Sequence, residues 1–302
     1  MATPKTYRAR VKKKPIPTPY IKESATLREY LEADKQQNLL LGPVAKYLQL
    51  KDDPRDAMVI HPSEMAKGDW CPRATWKRLT GQPLPMPKPL TFRNHLIFAE
   101  GREIHSKWQT WLEEMNALWG RWECLVCGAE TEGWVDEISR SGCLHGGSHL
   151  WDYREVPLVY PDFRIAGHAD GIFNLSDEDL LLEAKSIGPG TIRMLNLLSD
   201  EESDDLASTK FGKITAILGD HLRQTQIYLA LTHESPTTPS VERAVVLYEH
   251  KADQQAREFV IRRREHYVEP LFETAHDIVW AIDKGREIAC PHGGCKYCTV
   301  EE

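Results

Sequence analysis

Two short segments, Gly167-His168-Ala169-Asp170 and Leu180-Leu181-Leu182-Glu183-Ala184-Lys185, stand so that Asp170 and Glu183 are equidistant from the Ser176-Asp177 step. Turn-forming residues fill Ser176 to Asp179 and apolar residues flank them, so the chain here is expected to fold back as an antiparallel pair. A pair symmetric about that turn sets Asp170 directly opposite Glu183, with Cβ atoms roughly 4.5–5.5 Å apart. Side chains alternate along a strand, so Glu183 and Lys185 share a face and Ala184 points to the other. Leu180, Leu181 and Leu182 mark the strand as buried. Two carboxylates forced together repel unless a positive group lies between them, and a hard divalent cation with oxygen ligands suits that place. Lys185 beside them can orient a water or steady charge developing on phosphorus. These residue types fit metal-assisted hydrolysis of a phosphodiester, in which the cation lowers the pKa of water and offsets charge on the reacting phosphorus. Glu155, on the preceding strand, is a lesser candidate for a ligand or supporting role.

Around this pair the signals alternate between helix and strand. Pro72 to Leu79 reads as a helix stopped by Gly81, and Pro83 to Pro89 as a linker. Thr91 to Leu118 reads as one long helix, with Phe98, His105, Trp108, Leu112 and Met115 recurring along one face. Strands are expected at Tyr153 to Tyr160, Phe163 to Leu175 and Leu180 to Ile187. After a nearly all-acidic loop at Ser199 to Asp205, Gly219 to Thr232 reads as a helix and Arg243 to His250 as a strand. Ala252 to Lys284 reads as one or two amphipathic helices. No internal repeat is visible. The fold class expected is α/β in the broad sense (α+β), a mixed β-sheet core with helices packed on its faces. Residues 1–60 would form a basic N-terminal extension, with a short helix capped by Ser24 and running towards Gln37, and residues 61–302 the main domain.

A length of 302 residues with 41% hydrophobic content suits an ordinary globular chain. The net charge of −7 argues against a generic polycation that coats nucleic acid. It is compatible with a site that concentrates carboxylates around metal ions, which then present positive charge to phosphate. Lys5, Arg8, Arg10, Lys12, Lys13, Lys14 and Lys22 all precede the first acidic residue, Glu23, and read as a solvated tail or a DNA-touching arm. No apolar run approaches the roughly 20 residues needed to cross a bilayer, and Met1 to Tyr20 lacks the apolar centre of a secretion signal. A cytoplasmic location with no membrane partner is therefore expected.

Seven cysteines, an odd number, fit poorly with paired disulfides. They fall into two groups, Cys124, Cys127 and Cys143, and Cys290, Cys295 and Cys298, with Cys71 isolated. Grouping of this kind in a cytosolic chain points to metal. Cys124-x2-Cys127-Gly128 matches the first half of a zinc ribbon, and with Cys143 and His149 or His145 it would close a structural Zn²⁺ shell in an insert spanning residues 119–152. Trp119, Trp122, Trp134 and Trp151 would pack that insert's small core or stack on bases.

In its chemistry-bearing residues the sequence resembles the RecB-type branch of the PD-(D/E)XK nucleases. Gly167 to Asp170 looks like the metal-binding Asp motif and Glu183-Ala184-Lys185 like the signature. Gly101-Arg102-Glu103-Ile104-His105 looks like the branch's upstream helix with its metal-ligating His, and Gln224-Thr225-Gln226-Ile227-Tyr228 like its downstream Gln and Tyr motif. The resemblance implies a restriction-endonuclease-like core and a catalytic Mg²⁺ or Mn²⁺ bound by His105, Asp170, Glu183 and the carbonyl of Ala184. Lys185 would assist the attacking water, with Gln224 and Tyr228 positioning substrate or Lys185. A His among the ligands favours Mn²⁺ alongside Mg²⁺. Cys71 lies 219 positions before Cys290, and with the close-set Cys290, Cys295 and Cys298 this arrangement is similar to RecB-like nucleases of the CRISPR-associated and AddB type. There one early and three late cysteines hold a structural [4Fe–4S] cluster. Zinc, with His292 at hand, is the alternative for these ligands. Family membership implies an exonuclease acting on single-stranded DNA ends. The rival readings are an end-processing subunit with protein partners in a recombination, replication or CRISPR-adaptation-like complex, and a non-catalytic nucleic-acid-binding scaffold.

Overall fold

The computed structural model describes residues 40–50, 55–86, 89–141, 151–195 and 210–299. The basic N-terminal run, the helix expected from Ser24, the acidic loop at Ser199 to Asp205, and Cys143, His145 and His149 lie outside the described residues. The chain divides into two units, Met1–Asp52 and Asp53–Glu302. In the first, the described residues form helix α1 (Leu41–Leu50), none of whose residues is buried.

The second unit carries the sheet. It begins with a short helix, α2 (Pro62–Met65), and α3 (Pro72–Leu79), whose Pro72 sits in the first turn where no backbone donor is needed. Gly81 follows at φ +69°, the left-handed conformation that ends helices. Helix α4 (Phe92–Glu114) starts at a capping box in which the Thr91 side chain accepts from the Asn94 backbone N–H and the Thr91 backbone N–H donates to the Asn94 side chain. Of the face expected to be buried, Leu112 is enclosed whereas Phe98 and Met115 are exposed. The buried residues are instead His95, Ile104, Gln109 and Leu112, and the helix ends before Leu118.

Strands β1 (Leu118–Cys124) and β2 (Glu130–Trp134), helix α5 (Val135–Ser141) and strand β3 (Trp151–Arg154) follow. This stretch was expected to form a separate insert, yet its strands belong to the main sheet. β1 pairs antiparallel with β2 and β3, and Leu118 and Trp119 pair with the next sheet strand. The tryptophans accordingly pack the main core, and the fully buried Trp122 donates from Nε1 to the Gly133 carbonyl at 3.0 Å.

Strands β4 (Val156–Tyr160) and β5 (Ile165–Ala169) form a separate antiparallel pair. The single strand expected over Phe163 to Leu175 is therefore broken. The chain leaves β5, passes Asp170, and enters the main sheet as β6 (Gly171–Phe173), opposite β7 (Leu180–Ile187). Helices α6 (Pro189–Met194) and α7 (Gly219–Glu234) lie in the crossover to β8 (Arg243–His250), which pairs parallel with β7. A parallel neighbour requires such a crossover. β8 is buried along almost its whole length, as expected of a central strand covered on both faces. β9 (Ala256–Arg262) pairs antiparallel with β8 where a helix was expected, and the helical part of that region is a 3-10 turn at Glu265–Tyr267 followed by α8 (Glu269–Asp283). The order across the seven-stranded sheet is β2-β1-β6-β7-β8-β9, with β3 also on β1.

Alternation along the strands separates two cores. Leu181, Ile172 and Ala244 pack with Ile227 and Leu229 of α7 and Ile278 of α8, whereas Leu182, Ala184, Val245 and Leu247 pack with Leu112 and Trp122. The result is a mixed sheet, mostly antiparallel, flanked by helices. No helix among the described residues is long and apolar enough to cross a membrane.

Candidate active site

The β6–β7 register decides where the acidic residues go. Gly171 faces Leu182 and Ile172 faces Leu181, so continuation by one step sets Asp170 opposite Glu183. Asp170 lies where the chain switches between sheets, and three hydrogen bonds fix it there. Its Oδ2 accepts from the Ala184 N–H at 2.6 Å, and its carbonyl accepts from Gln109 Nε2 at 2.8 Å and the Tyr153 hydroxyl at 3.0 Å. From α4, His105 Nδ1 lies 3.0 Å from Asp170 Oδ1. Burial works against a charged His105, but the hydrogen bond and charge of Asp170 outweigh it and raise the imidazole pKa.

The ligand atoms of His105, Asp170 and Glu155 all lie within 4.8 Å of one another. Glu155, at the link between β3 and β4, thus joins the tight group. Its side chain is exposed, yet desolvation of the carboxyl together with the Asp170 charge pushes its pKa up to about 7. Glu183 stands beside this trio and is turned towards Lys185, with which it forms an ion pair. It is almost wholly buried, and desolvation pushes its pKa up to about 7 against the opposing pull of Lys185. Burial alone would lower the pKa of Lys185, but Glu183 and Asp170 raise it, so the ammonium stays charged. Glu183 Oε2 is buried with no hydrogen-bond partner among the described residues. An orphaned carboxylate oxygen in a core is costly. Next to an imidazole and two further carboxylates, its presence fits a site made to receive a divalent cation.

Gln224 and Tyr228 sit on α7 one turn apart, and Gln224 Nε2 donates to the Tyr228 hydroxyl at 3.0 Å. Burial, with the nearby Glu183 charge, keeps Tyr228 protonated. Its ring lies against Gly167, where an added Cβ would come within 2.8 Å of Pro62 and 3.3 Å of Tyr228. That close approach accounts for glycine in the strand leading to Asp170. Two neighbours of Lys185 carry no signature in the sequence. Tyr248 is its register partner on β8, and the Tyr248 hydroxyl lies 2.8 Å from His221 Nδ1, an imidazole that desolvation and the Lys185 charge bring down to about 4. Gln109 was findable, since it falls one helical turn after His105 on the same face of α4.

Far from these residues in sequence, Cys71 at the start of α3 meets Cys290, Cys295 and Cys298. Cys71 Sγ is 3.8 Å from Cys290 Sγ, Cys295 Sγ is 3.7 Å from Cys298 Sγ, and all four sulfurs lie within 4.8 Å of one another. Burial pushes the Cys71 thiol up. Burial also opposes ionisation of Cys298, but a backbone hydrogen bond from Cys295 and the adjoining thiols bring it down to about 7. Four thiolates bound to one tetrahedral ion at ~2.3 Å lie about 3.8 Å apart, close to this spacing. A cubane takes each thiolate on a different iron and calls for a wider set. Elsewhere, Cys124 ends β1 and Cys127 lies on the exposed turn to β2, where Gly128 at φ +70° donates its N–H to the Cys124 carbonyl at 2.8 Å.

No family model and no curated protein match this chain. Among solved structures, that of SSO0001 shares 15% identity at a TM-score of 0.34, over 85% of this chain and 87% of that one. The alkaline exonuclease LHK-Exo of Laribacter hongkongensis shares 10% identity at a TM-score of 0.42, over 76% and 90%. Its complex with dAMP shares 12% at 0.38, over 76% and 89%.

Proposed function

We propose that the chain is a metal-dependent deoxyribonuclease of the PD-(D/E)XK type, in the RecB-like branch, which hydrolyses phosphodiester bonds in single-stranded DNA from an end. The observation that carries this reading is the meeting of His105, Asp170 and Glu155 within one small volume, with Glu183 beside them, paired to Lys185 and holding an unpartnered carboxylate oxygen in the core. His105, Asp170 and Glu155, with Glu183 and the carbonyl of Ala184, would hold Mg²⁺ or Mn²⁺. When bound, the cation lowers the pKa of water and offsets negative charge on phosphorus. The remaining work falls to the protein. Asp170 is locked by its hydrogen bonds to Ala184, Gln109 and Tyr153, so the cation's position would be fixed without rearrangement. Lys185, kept charged by Glu183 and Asp170, orients the attacking water and steadies the phosphoryl oxygens. Tyr228 and Gln224 brace the strand that carries Asp170.

The test uses end-labelled single-stranded DNA with Mn²⁺ or Mg²⁺, with and without chelator. Metal-dependent shortening from one end is expected. A chain that leaves every strand intact, or cuts equally well in excess chelator, would sink the reading.

A pH effect follows from the two raised carboxyls. Each takes up a proton on folding above the ordinary value of 4.5, so the metal-free protein loses stability as pH climbs from about 4.5 through about 7. An added cation competes with those same protons. Stabilisation by Mn²⁺ should therefore be small at pH 5.5 and reach roughly 5–10 °C at pH 8 when the ion is in about 100-fold excess over its Kd. Thermal melts at the two pH values check this, and equal stabilisation at both would exclude these carboxyls as the ligands.

The four-cysteine cluster is, in the same proposal, a metal-bound staple. A [4Fe–4S] cluster is the occupant the family resemblance supports, and one Zn²⁺ is the occupant the sulfur spacing supports. Iron with acid-labile sulfide, or about one zinc per chain beyond any at the Cys124 site, separates them. Cys124 and Cys127, with Cys143 and His149, would hold a second, structural Zn²⁺.

A further inference from the structure

Beside the carboxylates lies a cavity of about 350 Å³, which runs from His105 and Glu155 to Arg102, Arg121, Arg154 and His168. Its basic residues come from separate elements. Arg102 lies on α4 one turn before His105, while Arg121 and Arg154 are register partners on β1 and β3, so their side chains leave the sheet on one face. Arg154 is balanced at the rim by Glu123, 2.9 Å from its Nε, and by Asp152 at 3.2 Å. The other two are less committed. Arg102 makes no ion pair among the described residues, and Arg121 meets Glu130 at 3.3 Å through Nη1, in an exposed contact. Glu155 is the one carboxylate among the residues lining the cavity, and it belongs to the cation-binding group.

We propose that this cavity binds a phosphomonoester at the end of the substrate strand, and so makes the enzyme choose phosphorylated ends. The inference rests on the nuclease reading above and names the substrate of that site. A terminal phosphate carries close to two negative charges at neutral pH, against one for an internal diester. Two guanidiniums with unused donors match that charge, and their planar forks suit phosphate oxygens. A strand anchored there has its nearest diester bonds at His105 and Glu155, where hydrolysis would occur, so cuts fall a short fixed distance from the end.

The test uses the full-length chain and single-stranded oligonucleotides of one sequence carrying a 5′-phosphate, a 3′-phosphate, or hydroxyls at both ends. Fluorescence anisotropy in chelator reads binding without cleavage. A phosphate at one of the two ends is expected to tighten binding roughly tenfold or more over hydroxyl ends. The exposed Arg102→Gln, with its fold checked by circular dichroism, should bring that ratio close to one, as should Arg121→Gln. Equal affinity for all three strands, or a ratio unmoved in both variants, overturns the pocket. Mn²⁺-dependent cleavage that ignores the end group would overturn it too, while leaving the nuclease reading in place. Phosphate-dependent binding with no cleavage of any strand would instead remove the nuclease reading and leave the pocket standing.

Discussion

Exchange of Asp170 for asparagine is expected to slow DNA cleavage by on the order of 10³-fold while the protein keeps its fold. The asparagine side chain has the same shape, and its amide oxygen can still accept from the Ala184 N–H that Asp170 Oδ2 now meets at 2.6 Å. The two bonds to the residue-170 carbonyl, from Gln109 and Tyr153, do not involve the side chain at all. What vanishes is the negative charge that His105 and the cation would share. Truncation to alanine would lose the cap on Ala184 as well and confound chemistry with folding. Lys185→Ala is the companion variant, and it should also abolish cleavage, but it strips the counter-charge from the buried Glu183. Loss of one partner of a buried pair is destabilising in itself. Single-turnover cleavage with Mn²⁺, read beside thermal melts, separates the two effects. If Asp170→Asn cleaved at the wild-type rate, the centre would have to lie elsewhere. A fall in the His105 pKa in the same variant, followed by NMR, gives a readout independent of turnover, because Asp170 is what raises it.

Much of this centre was legible because its determinants are local. The turn at Ser176 to Asp179 and the alternation of Leu181, Glu183 and Lys185 together fix a register, and the β6–β7 ladder keeps it. Helix α3 and strand β8 were readable for similar reasons, one from Pro72 and Gly81, the other from an unbroken apolar run. The failures are where long-range pairing decides. β9 alternates between exposed and half-buried positions, but its charged residues also suit an amphipathic helix, and it is the edge of β8 that makes it a strand. The cysteines, glycines and histidines of residues 119–152 suggested an inserted module, and the pairing of Leu118 and Trp119 with β6 ties its first strand to the sheet. Glu155, expected as a lesser candidate for a ligand or supporting role, carries no motif, yet it joins His105 and Asp170. It reaches Asp170 because β3 and β4 belong to different sheets and the link between them passes the site. The arginine cavity is invisible in sequence for the same reason, since its residues converge from a helix and from strands of both sheets.

Replacement of Cys295 by serine is expected to empty the four-cysteine site of metal and lower the melting temperature on the order of 10 °C. Three of the four ligands, Cys290, Cys295 and Cys298, follow α8 and one stands at the start of α3, so a metal there would tie the segment after α8 to α3. The loop has other ties to the same region. Lys77 Nζ donates to the Cys298 carbonyl at 3.0 Å, Arg73 pairs with Glu287, and the Tyr297 hydroxyl donates to Asp69 at 2.6 Å. Exposed or half-exposed contacts of this kind are individually weak, whereas a bound structural metal stabilises far more. Metal should therefore dominate the attachment, and limited proteolysis of Cys295→Ser should release a C-terminal fragment that the wild type protects. Tyr297→Phe serves as the control, because it removes one tie and leaves every sulfur in place, and it should retain both metal and protease resistance. A Cys295→Ser protein that melts with the wild type and resists protease equally would mean that the side-chain ties, rather than a metal, hold the segment after α8 to α3.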